Sequence, residues 1–292
     1  MDSLKFGILA SGELGYHCLQ HINTFNIVNC VFTNSKSEKI IDFCTQHQIP
    51  IFIGNPRDEK SKKFIHGFEI DVLLSINYLY LVNDYIYEYP KKYAINFHGS
   101  LLPKYRGRTP HVWAIINNEK ETGITAHLIT KNCDEGDIVF QEKVTIDENS
   151  TGADLLEEYG KRFPLIIDTI ISKITNGSLE VFPQNHDLAT YYGKRVPEDG
   201  VINWDWQKER IRNWVRAQAK PYPGAFSFVN GKKIIIHQIK LSNHGYLDTD
   251  VNGSILKVKD TIIVKVQNGA IELTDYQIEN NTPLNVGDLL YA

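Results

Sequence analysis

Short apolar runs alternate with amphipathic segments over the first half of the chain. Residues 71–76 form an almost continuous apolar run, which is typical of a strand covered on both faces of a sheet. Strands that alternate with helices predict an α/β domain with a mostly parallel, doubly wound sheet. The predicted strands are residues 6–10, 29–33, 49–52, 71–76, 93–95 and 123–129, and the predicted helices include residues 16–20 and 40–44.

A long helix is predicted in the middle of the chain. Thr151 and Asp154 have the spacing of a capping box, in which each residue satisfies a backbone N–H of the first helical turn. Apolar residues follow at helical spacing. Lys173 and the Asn176-Gly177 pair then indicate where the helix ends.

The pattern changes beyond residues 191–206, which are polar and contain proline and glycine. Short strands separated by tight turns follow, at residues 234–237, 253–258, 261–266 and 269–273. They predict a smaller β-rich domain, either barrel-like or open. The predicted organisation is a first domain at residues 1–190, a linker at 191–206 and an OB-like C-terminal domain at 207–292.

The composition is that of a globular protein without a dominant charge. The 292 residues are 42% hydrophobic and 23% charged, and the formal net charge is -4. This balance provides no general attraction for nucleic acid. The sequence has no apolar stretch long enough to cross a bilayer and no signal-like segment before its first strand, and its four cysteines are scattered. We therefore expect a cytoplasmic protein with no membrane partner.

Two polar side chains share one face of the strand that begins at residue 93. Side chains alternate along a strand, so Asn96 and His98 point to one side while Phe97 points to the other. An amide can donate a hydrogen bond to a carbonyl oxygen, and an imidazole can take up or release a proton near neutral pH. The pair indicates catalytic chemistry, although hydrolysis, metal binding and a structural role remain open on these residues alone.

Other motifs are less specific. Residues 10–15 resemble a dinucleotide-binding turn without its first glycine, and no acidic residue ends the second strand, so we expect no nicotinamide cofactor. His17 and His21 are four residues apart but have no third ligand nearby in sequence, so we expect no metal site. The basic residues at 104–108 follow the strand with the polar pair, where α/β sheets place their ligands. We expect at least one of them to contact phosphate or carboxylate groups.

Two motifs together carry a family resemblance. Residues 96–107 read Asn-Phe-His-Gly-Ser-Leu-Leu-Pro-Lys-Tyr-Arg-Gly, and Asp134-Glu135-Gly136 follows further along the chain. They resemble the 10-formyltetrahydrofolate-dependent formyltransferases, which act on methionyl-tRNA, phosphoribosylglycinamide or sugar nucleotides. Residues 191–200 and 215–226 resemble further segments of the methionyl-tRNA and sugar-nucleotide branches. The resemblance implies a Rossmann-like formyltransferase domain, a smaller β-rich C-terminal domain and a homodimer.

The resemblance also implies roles for single residues. Asn96 matches the asparagine that polarises the formyl oxygen and His98 the histidine that transfers the proton. Asp134 matches the aspartate that tunes this histidine, with Asp137 as the alternative. Cys133 is expected to be a small buried side chain and not a nucleophile. The family's folate contacts match Tyr80, Leu81, Val82, Arg108, Thr130, Lys131, Asn132 and Cys133; 10-formyltetrahydrofolate is the implied co-substrate, without a metal.

Three functions remain open at this point. The chain formylates a nucleotide-linked amino sugar, formylates methionyl-tRNA, or binds folate or a nucleotide without catalysis. The presence of the whole set Asn96, His98 and Asp134 argues against the third. Binding of tRNA requires clustered lysine and arginine, but residues 201–292 contain eleven lysines and arginines against nine aspartates and glutamates.

Two further segments favour the sugar substrate. Residues 106–110 and 221–226 resemble the sugar-nucleotide branch, including the formyltransferase domain that acts on 4-amino-arabinose. We therefore expect an N-formyltransferase for a nucleotide-linked amino sugar, with a dTDP- or UDP-linked 4-amino-4,6-dideoxyhexose as the best candidate. Such a product would serve surface glycan or O-antigen biosynthesis. Methionyl-tRNA is the alternative acceptor.

Overall fold

The computed structural model describes residues 3–292, which form two compact units. The first unit consists of the residues up to Gly107 together with Thr122–Val144 and Glu157–Tyr192. The second consists of Arg108–Glu121, Thr145–Leu156 and Gly193–Ala292. The chain therefore passes between the units several times. The domain boundaries at residues 190 and 206 stay predictions.

The first unit is built on a mostly parallel sheet. Its strands are β1 (Lys5–Ala10), β2 (Ile27–Thr33), β3 (Ile51–Ile53), β4 (Val72–Ile76), β5 (Tyr93–His98), β6 (Arg106–Gly107), β7 (Glu121–Leu128), β8 (Ile138–Thr145) and β9 (Tyr191–Tyr192). Seven of them form one sheet in the order β3-β2-β1-β4-β5-β7-β8. β1 to β5 pair in parallel, and β7 runs antiparallel to β5. The predicted mostly parallel α/β sheet is confirmed.

Burial explains the apolar runs in the sequence. All five residues of β4 are buried, as expected for a central strand that is covered on both faces. Leu9, Phe32 and Leu73 of neighbouring strands belong to one fully buried cluster. The ring of Phe64 packs edge-on against Phe32, with 5.2 Å between the ring centroids. This buried apolar layer supports the strands that carry the polar residues at their ends.

The helices are α1 (Gly12–Phe25), α2 (Glu38–Gln46), α3 (Glu59–Ile65), α4 (Asp84–Tyr87), α5 (Pro110–Ile116), α6 (Gly152–Thr175) and α7 (Lys208–Ala217). The capping box before α6 is confirmed, because the Thr151 and Asp154 side chains each accept the other's backbone N–H. The hydrophobic pattern of the sequence did not predict α3, because this helix is short, mainly charged and has few apolar residues. Its start is set by Asp58, whose carboxylate accepts the Ser61 N–H at 2.8 Å.

The second unit contains an antiparallel sheet. Its strands are β10 (Ala225–Val229), β11 (Lys232–Ser242), β12 (Ile255–Val258), β13 (Ile262–Val266) and β14 (Gly269–Ile278), in the order β10-β11-β14-β13-β12. α7 packs against β11 in this unit. The predicted β-rich C-terminal part is confirmed. Within residues 3–292 no helix is both long and apolar enough to cross a membrane.

A two-stranded parallel pair lies in the first unit, and one of its strands follows the strand that carries Asn96 and His98. β6 follows β5 after a short loop and pairs in parallel with β9, with Arg106 opposite Tyr191 and Gly107 opposite Tyr192. β9 therefore occupies the first two residues of the segment predicted as a linker. Gly107 has φ +102, and a Cβ there would lie 2.2 Å from the Tyr192 carbonyl oxygen. Only glycine fits this position without displacing β9.

Replacement of this glycine tests the close approach. We expect Gly107→Ala to lower the free energy of unfolding by about 2–4 kcal/mol, because it combines a left-handed backbone with a collision against main chain. Gly160→Ala is the matched control, since Gly160 lies within α6 and a Cβ there meets no atom within 4 Å. Alanine should stabilise that helix by about 0.5–1 kcal/mol. Denaturant midpoints measure both variants, and equal midpoints would contradict the β6–β9 geometry.

Candidate active site

The polar pair of β5 is joined by a second pair from β7. Antiparallel register places Asn96 opposite His127 and His98 opposite Thr125. Directly opposed residues in such a ladder lie on the same face. Four polar side chains from two strands therefore share one face of the sheet. His98, Thr125 and His127 are all buried.

His98 has both ring nitrogens directed at acceptors. Its Nε2 lies 2.8 Å from the Tyr105 carbonyl oxygen, which can only accept, so Nε2 carries a proton. Its Nδ1 faces the Asp134 carboxylate, 3.6 Å from Oδ2. Burial lowers the pKa of His98, while the charge of Asp134 and the bond to Tyr105 act in the opposite direction. The neutral ring therefore offers Nδ1 as a base beside a carboxylate.

Asp134 reaches this face from the loop between β7 and β8. Its Oδ2 accepts the Gly107 backbone N–H at 2.8 Å, and its Oδ1 lies 3.5 Å from His127 Nε2. Burial would raise the pKa of Asp134, but the His98 and His127 imidazoles and the Gly107 N–H outweigh it and hold the pKa below the usual range. Asp134 is therefore a buried, ionised carboxylate at neutral pH.

Asn96 is oriented by His127. The His127 Nδ1 donates to the Leu128 carbonyl oxygen at 2.9 Å, and its Nε2 lies 3.0 Å from the Asn96 amide nitrogen, where it can accept one N–H of that amide. The second N–H of this amide has no hydrogen-bond partner within residues 3–292. Asn96 can therefore donate to an oxygen of a bound molecule next to the His98–Asp134 pair.

The sequence did not single out His127 as a site residue. It falls within the predicted strand at 123–129, where its alternation with apolar neighbours only indicated a strand. Its role follows from the antiparallel pairing of β5 with β7, and no signal along the chain specifies that pairing.

The structure distinguishes the two aspartates that the sequence left as alternatives, because Asp134 is buried against His98 whereas Asp137 is exposed.

The residues predicted to contact folate lie mainly on two loops of the first unit. Tyr80, Leu81 and Val82 follow β4, and Leu81 is 56% exposed. Val82 packs against the buried cluster that also receives Ile129, the residue before the second loop. The second loop contains Thr130, Lys131, Asn132 and Cys133, all exposed. Arg108 is exposed and follows Gly107 directly, in the second unit. The assignment of these residues to folate stays a prediction.

The expectation that Cys133 is buried is wrong. Its thiol is exposed, and it lies 3.4 Å from Asp134 Oδ2. The reason is the left-handed backbone of Asp134, with φ +58, which turns that one side chain inward while the preceding residues stay at the surface. A small apolar side chain in sequence was a poor guide to burial here because the residue sits in an irregular loop.

Comparisons with known proteins identify the family of the chain. Residues 16–163 match the family described as formyl transferase, and residues 194–291 match the formyl transferase C-terminal domain. The chain is 31% identical over 293 aligned residues to the bifunctional polymyxin resistance protein ArnA of Wigglesworthia glossinidia brevipalpis. That alignment covers 98% of this chain and 44% of the relative, so the chain spans less than half of the curated relative's length.

Solved structures share the fold. WlaRD, a sugar 3N-formyl transferase crystallised with dTDP and 5-N-formyl-THF, has a TM-score of 0.71 at 23% identity, over 97% of this chain and 100% of that one. The Helicobacter canadensis N-formyltransferase, in complex with folinic acid and dTDP-3-aminofucose, has a TM-score of 0.72 at 22% identity, over 92% and 98%. The Clostridium thermocellum methionyl-tRNA formyltransferase has a TM-score of 0.62 at 18% identity, over 94% and 99%. The two family matches and the curated relative confirm the prediction from sequence, and this chain belongs to the formyltransferase family.

Proposed function

We propose that this formyltransferase transfers a formyl group from 10-formyltetrahydrofolate to the amino group of a nucleotide-linked amino sugar. The observation that carries the proposal is the buried group formed by Asn96, His98 and Asp134. It combines a free amide donor, a neutral imidazole and an ionised carboxylate on one face of the sheet. Acyl transfer to an amine requires these three functions.

The residues around the site suit a folate. The Tyr78 hydroxyl is buried without a hydrogen-bond partner within residues 3–292, directly before the predicted folate loop at residues 80–82. A pteridine ring carries several donors and acceptors at its edge that such a hydroxyl can meet. The exposed loop at residues 130–133 leads into Asp134, so a ligand bound along it would reach the catalytic group. When bound, 10-formyltetrahydrofolate supplies the formyl group.

The side chains have distinct tasks in the transfer. The free N–H of Asn96 donates to the formyl oxygen as the amine nitrogen bonds to the formyl carbon and negative charge develops, a contribution of about 3–4 kcal/mol by analogy with oxyanion holes. His98 accepts the proton that the amine loses. The ionised Asp134 stabilises the imidazolium that results. His98 then returns this proton to the folate nitrogen as its bond to the formyl carbon breaks, so no proton is gained or lost overall.

The acceptor is proposed from charge and from the relatives. Residues 201–292 contain nearly equal numbers of acidic and basic residues, which does not favour binding to tRNA phosphates. Two of the solved structures that share the fold carry a dTDP group, and one of them an amino sugar. A dTDP- or UDP-linked 4-amino-4,6-dideoxyhexose is the narrower candidate. Methionyl-tRNA is the alternative, because a methionyl-tRNA formyltransferase also shares the fold.

An activity panel tests the acceptor. With 10-formyltetrahydrofolate as donor, we expect formylation of at least one dTDP- or UDP-linked amino sugar and none of charged initiator tRNA, because residues 201–292 have no marked excess of positive charge. Mass spectrometry of the product identifies the formylated amine. Formylation of the tRNA with no reaction of the sugar nucleotides would overturn the sugar proposal.

Substitution of the catalytic group tests the roles. Asn96→Ala should lower kcat by about 10²–10³-fold because the donor to the developing oxyanion is lost. His98→Gln should lower it by at least about 10²-fold because no base remains. Steady-state kinetics measure both, with His244→Gln as a control at an exposed histidine of the second unit. If kcat stayed at the wild-type value in both site variants, the group would not be catalytic.

The pH dependence tests the coupling of Asp134 to His98. His98 must be neutral to accept a proton, and burial lowers its pKa, so its protonation should reduce activity only below about pH 6.5. Since the Asp134 charge raises this pKa, Asp134→Asn should shift that loss of activity to lower pH while reducing the maximal rate. Profiles of kcat/KM measured with one acceptor separate this shift from titration of the amine, which is the same in both proteins. An unchanged or higher midpoint would contradict the coupling.

A further inference from the structure

Arg106 is the largest side chain that is fully buried in the structure. It lies in β6, next to the glycine whose N–H binds Asp134. Its Nη1 forms an ion pair with Glu135, 3.4 Å from Oε1, and its buried Nε has no hydrogen-bond partner among residues 3–292. Burying a guanidinium is unfavourable unless its donors are used. The partners of Arg106 therefore indicate what it does.

The two terminal nitrogens of Arg106 contact three residues, two of which also bind the loop that contains Asp134. Nη2 donates to Gln184 Oε1 at 2.7 Å and approaches His186 Nδ1 at 3.1 Å. Nη1 donates to the Tyr191 hydroxyl at 2.5 Å. A guanidinium only donates. The carbonyl end of Gln184 and the oxygen of Tyr191 must therefore face Arg106, and their own donors must point away from it.

Those donors meet the loop that carries the catalytic aspartate. Gln184 Nε2 donates to the carbonyl oxygens of Asp134 at 2.9 Å and Gly136 at 2.7 Å. The Tyr191 hydroxyl donates to Glu135 Oε1 at 2.8 Å. Three consecutive residues, 134–136, are thus held by two side chains that Arg106 orients. All of these residues belong to the first unit.

The loop needs such support because of its backbone. Asp134 has φ +58, a conformation that is unfavourable for a residue with a side chain. The inward direction of its carboxylate depends on this conformation. Gly107 binds the carboxylate from β6, and Arg106 in the same strand holds the backbone through Gln184 and Tyr191. The two-residue strand therefore fixes Asp134 from both its side chain and its main chain.

We propose that Arg106, acting through Gln184 and Tyr191, is a positioning residue for formyl transfer that keeps Asp134 against His98. This rests on the proposed function, because it assigns Asp134 the task of tuning the base. Arg106 touches no reacting atom in this account. Arg106 and His127 act to lower the pKa of His98, whereas the charge of Asp134 raises it. The connection from Arg106 through Gln184 to Asp134 is therefore tested at Gln184, because this residue can be changed without adding or removing a charge.

Gln184→Met replaces this side chain by an apolar one of similar length and removes its hydrogen bonds to Arg106 and to the loop. We expect kcat to fall by about 10–100-fold, because a small displacement of Asp134 suffices for such a loss, while KM for both substrates changes by less than about 3-fold. The loss of activity at low pH should shift to lower pH, as in Asp134→Asn. Gln46→Met, at an exposed glutamine of α2, is the matched control and should behave as wild type.

A double-mutant cycle separates positioning from general stability. If Gln184 acts through Asp134, Gln184→Met combined with Asp134→Asn should show about the kcat of Asp134→Asn alone. The proposal would be overturned if the kcat losses of the two single variants multiplied in the double variant and the pH profile of Gln184→Met were unshifted. If Gln184→Met does not fold, Gln184→Glu keeps the bond to Arg106 but turns both donations into repulsion, and a wild-type kcat there would also overturn it. A wild-type enzyme inactive on every amine would instead refute the proposed function.

Discussion

The buried carboxylate of Asp134 is the interaction on which the active site depends. An ionised group away from water is strongly unfavourable unless charges and hydrogen bonds compensate it. Here the Gly107 N–H and the imidazoles of His98 and His127 all act on one carboxylate. The compensation also has a chemical result. Because Asp134 stays ionised while burial keeps His98 neutral, a proton that reaches the imidazole creates an ion pair in a site prepared for it.

The antiparallel pairing of β7 with β5 leads to this convergence. Leu128, at the end of β7, lies opposite Ile95 near the start of β5, so the following loop must return along the face that carries Asn96 and His98. Gly136 permits the return, since a Cβ there would lie 1.8 Å from the Leu128 carbonyl oxygen. The returning loop therefore places Asp134 beside His98.

The sequence predicted the parts of the protein whose physics is local. Alternation along β5 predicts that Asn96 and His98 share a face, and the capping pair at Thr151 predicts the start of α6. The missing parts depend on contacts between distant segments. His127 belongs to the site only through strand pairing. Arg106 appeared in the sequence as one cation of a basic loop, yet it is fully buried because residues 184 and 191 return to it. The prediction for Cys133 was wrong for a different reason, since the left-handed backbone of the adjacent Asp134 decides which side chain turns inward.

Family membership indicates which reaction occurs more closely than it indicates which amine is the acceptor. A base, an oxyanion donor and a carboxylate serve any amine that presents an uncharged nitrogen to the formyl carbon, so these three side chains contain no information on what carries that nitrogen. Discrimination between acceptors must come from binding energy away from the reacting atoms. This explains why solved proteins named for sugar and for tRNA substrates share the fold of this chain. It also explains why the distribution of charge, which reports on what a surface can attract, is the better guide to the acceptor than the catalytic residues themselves.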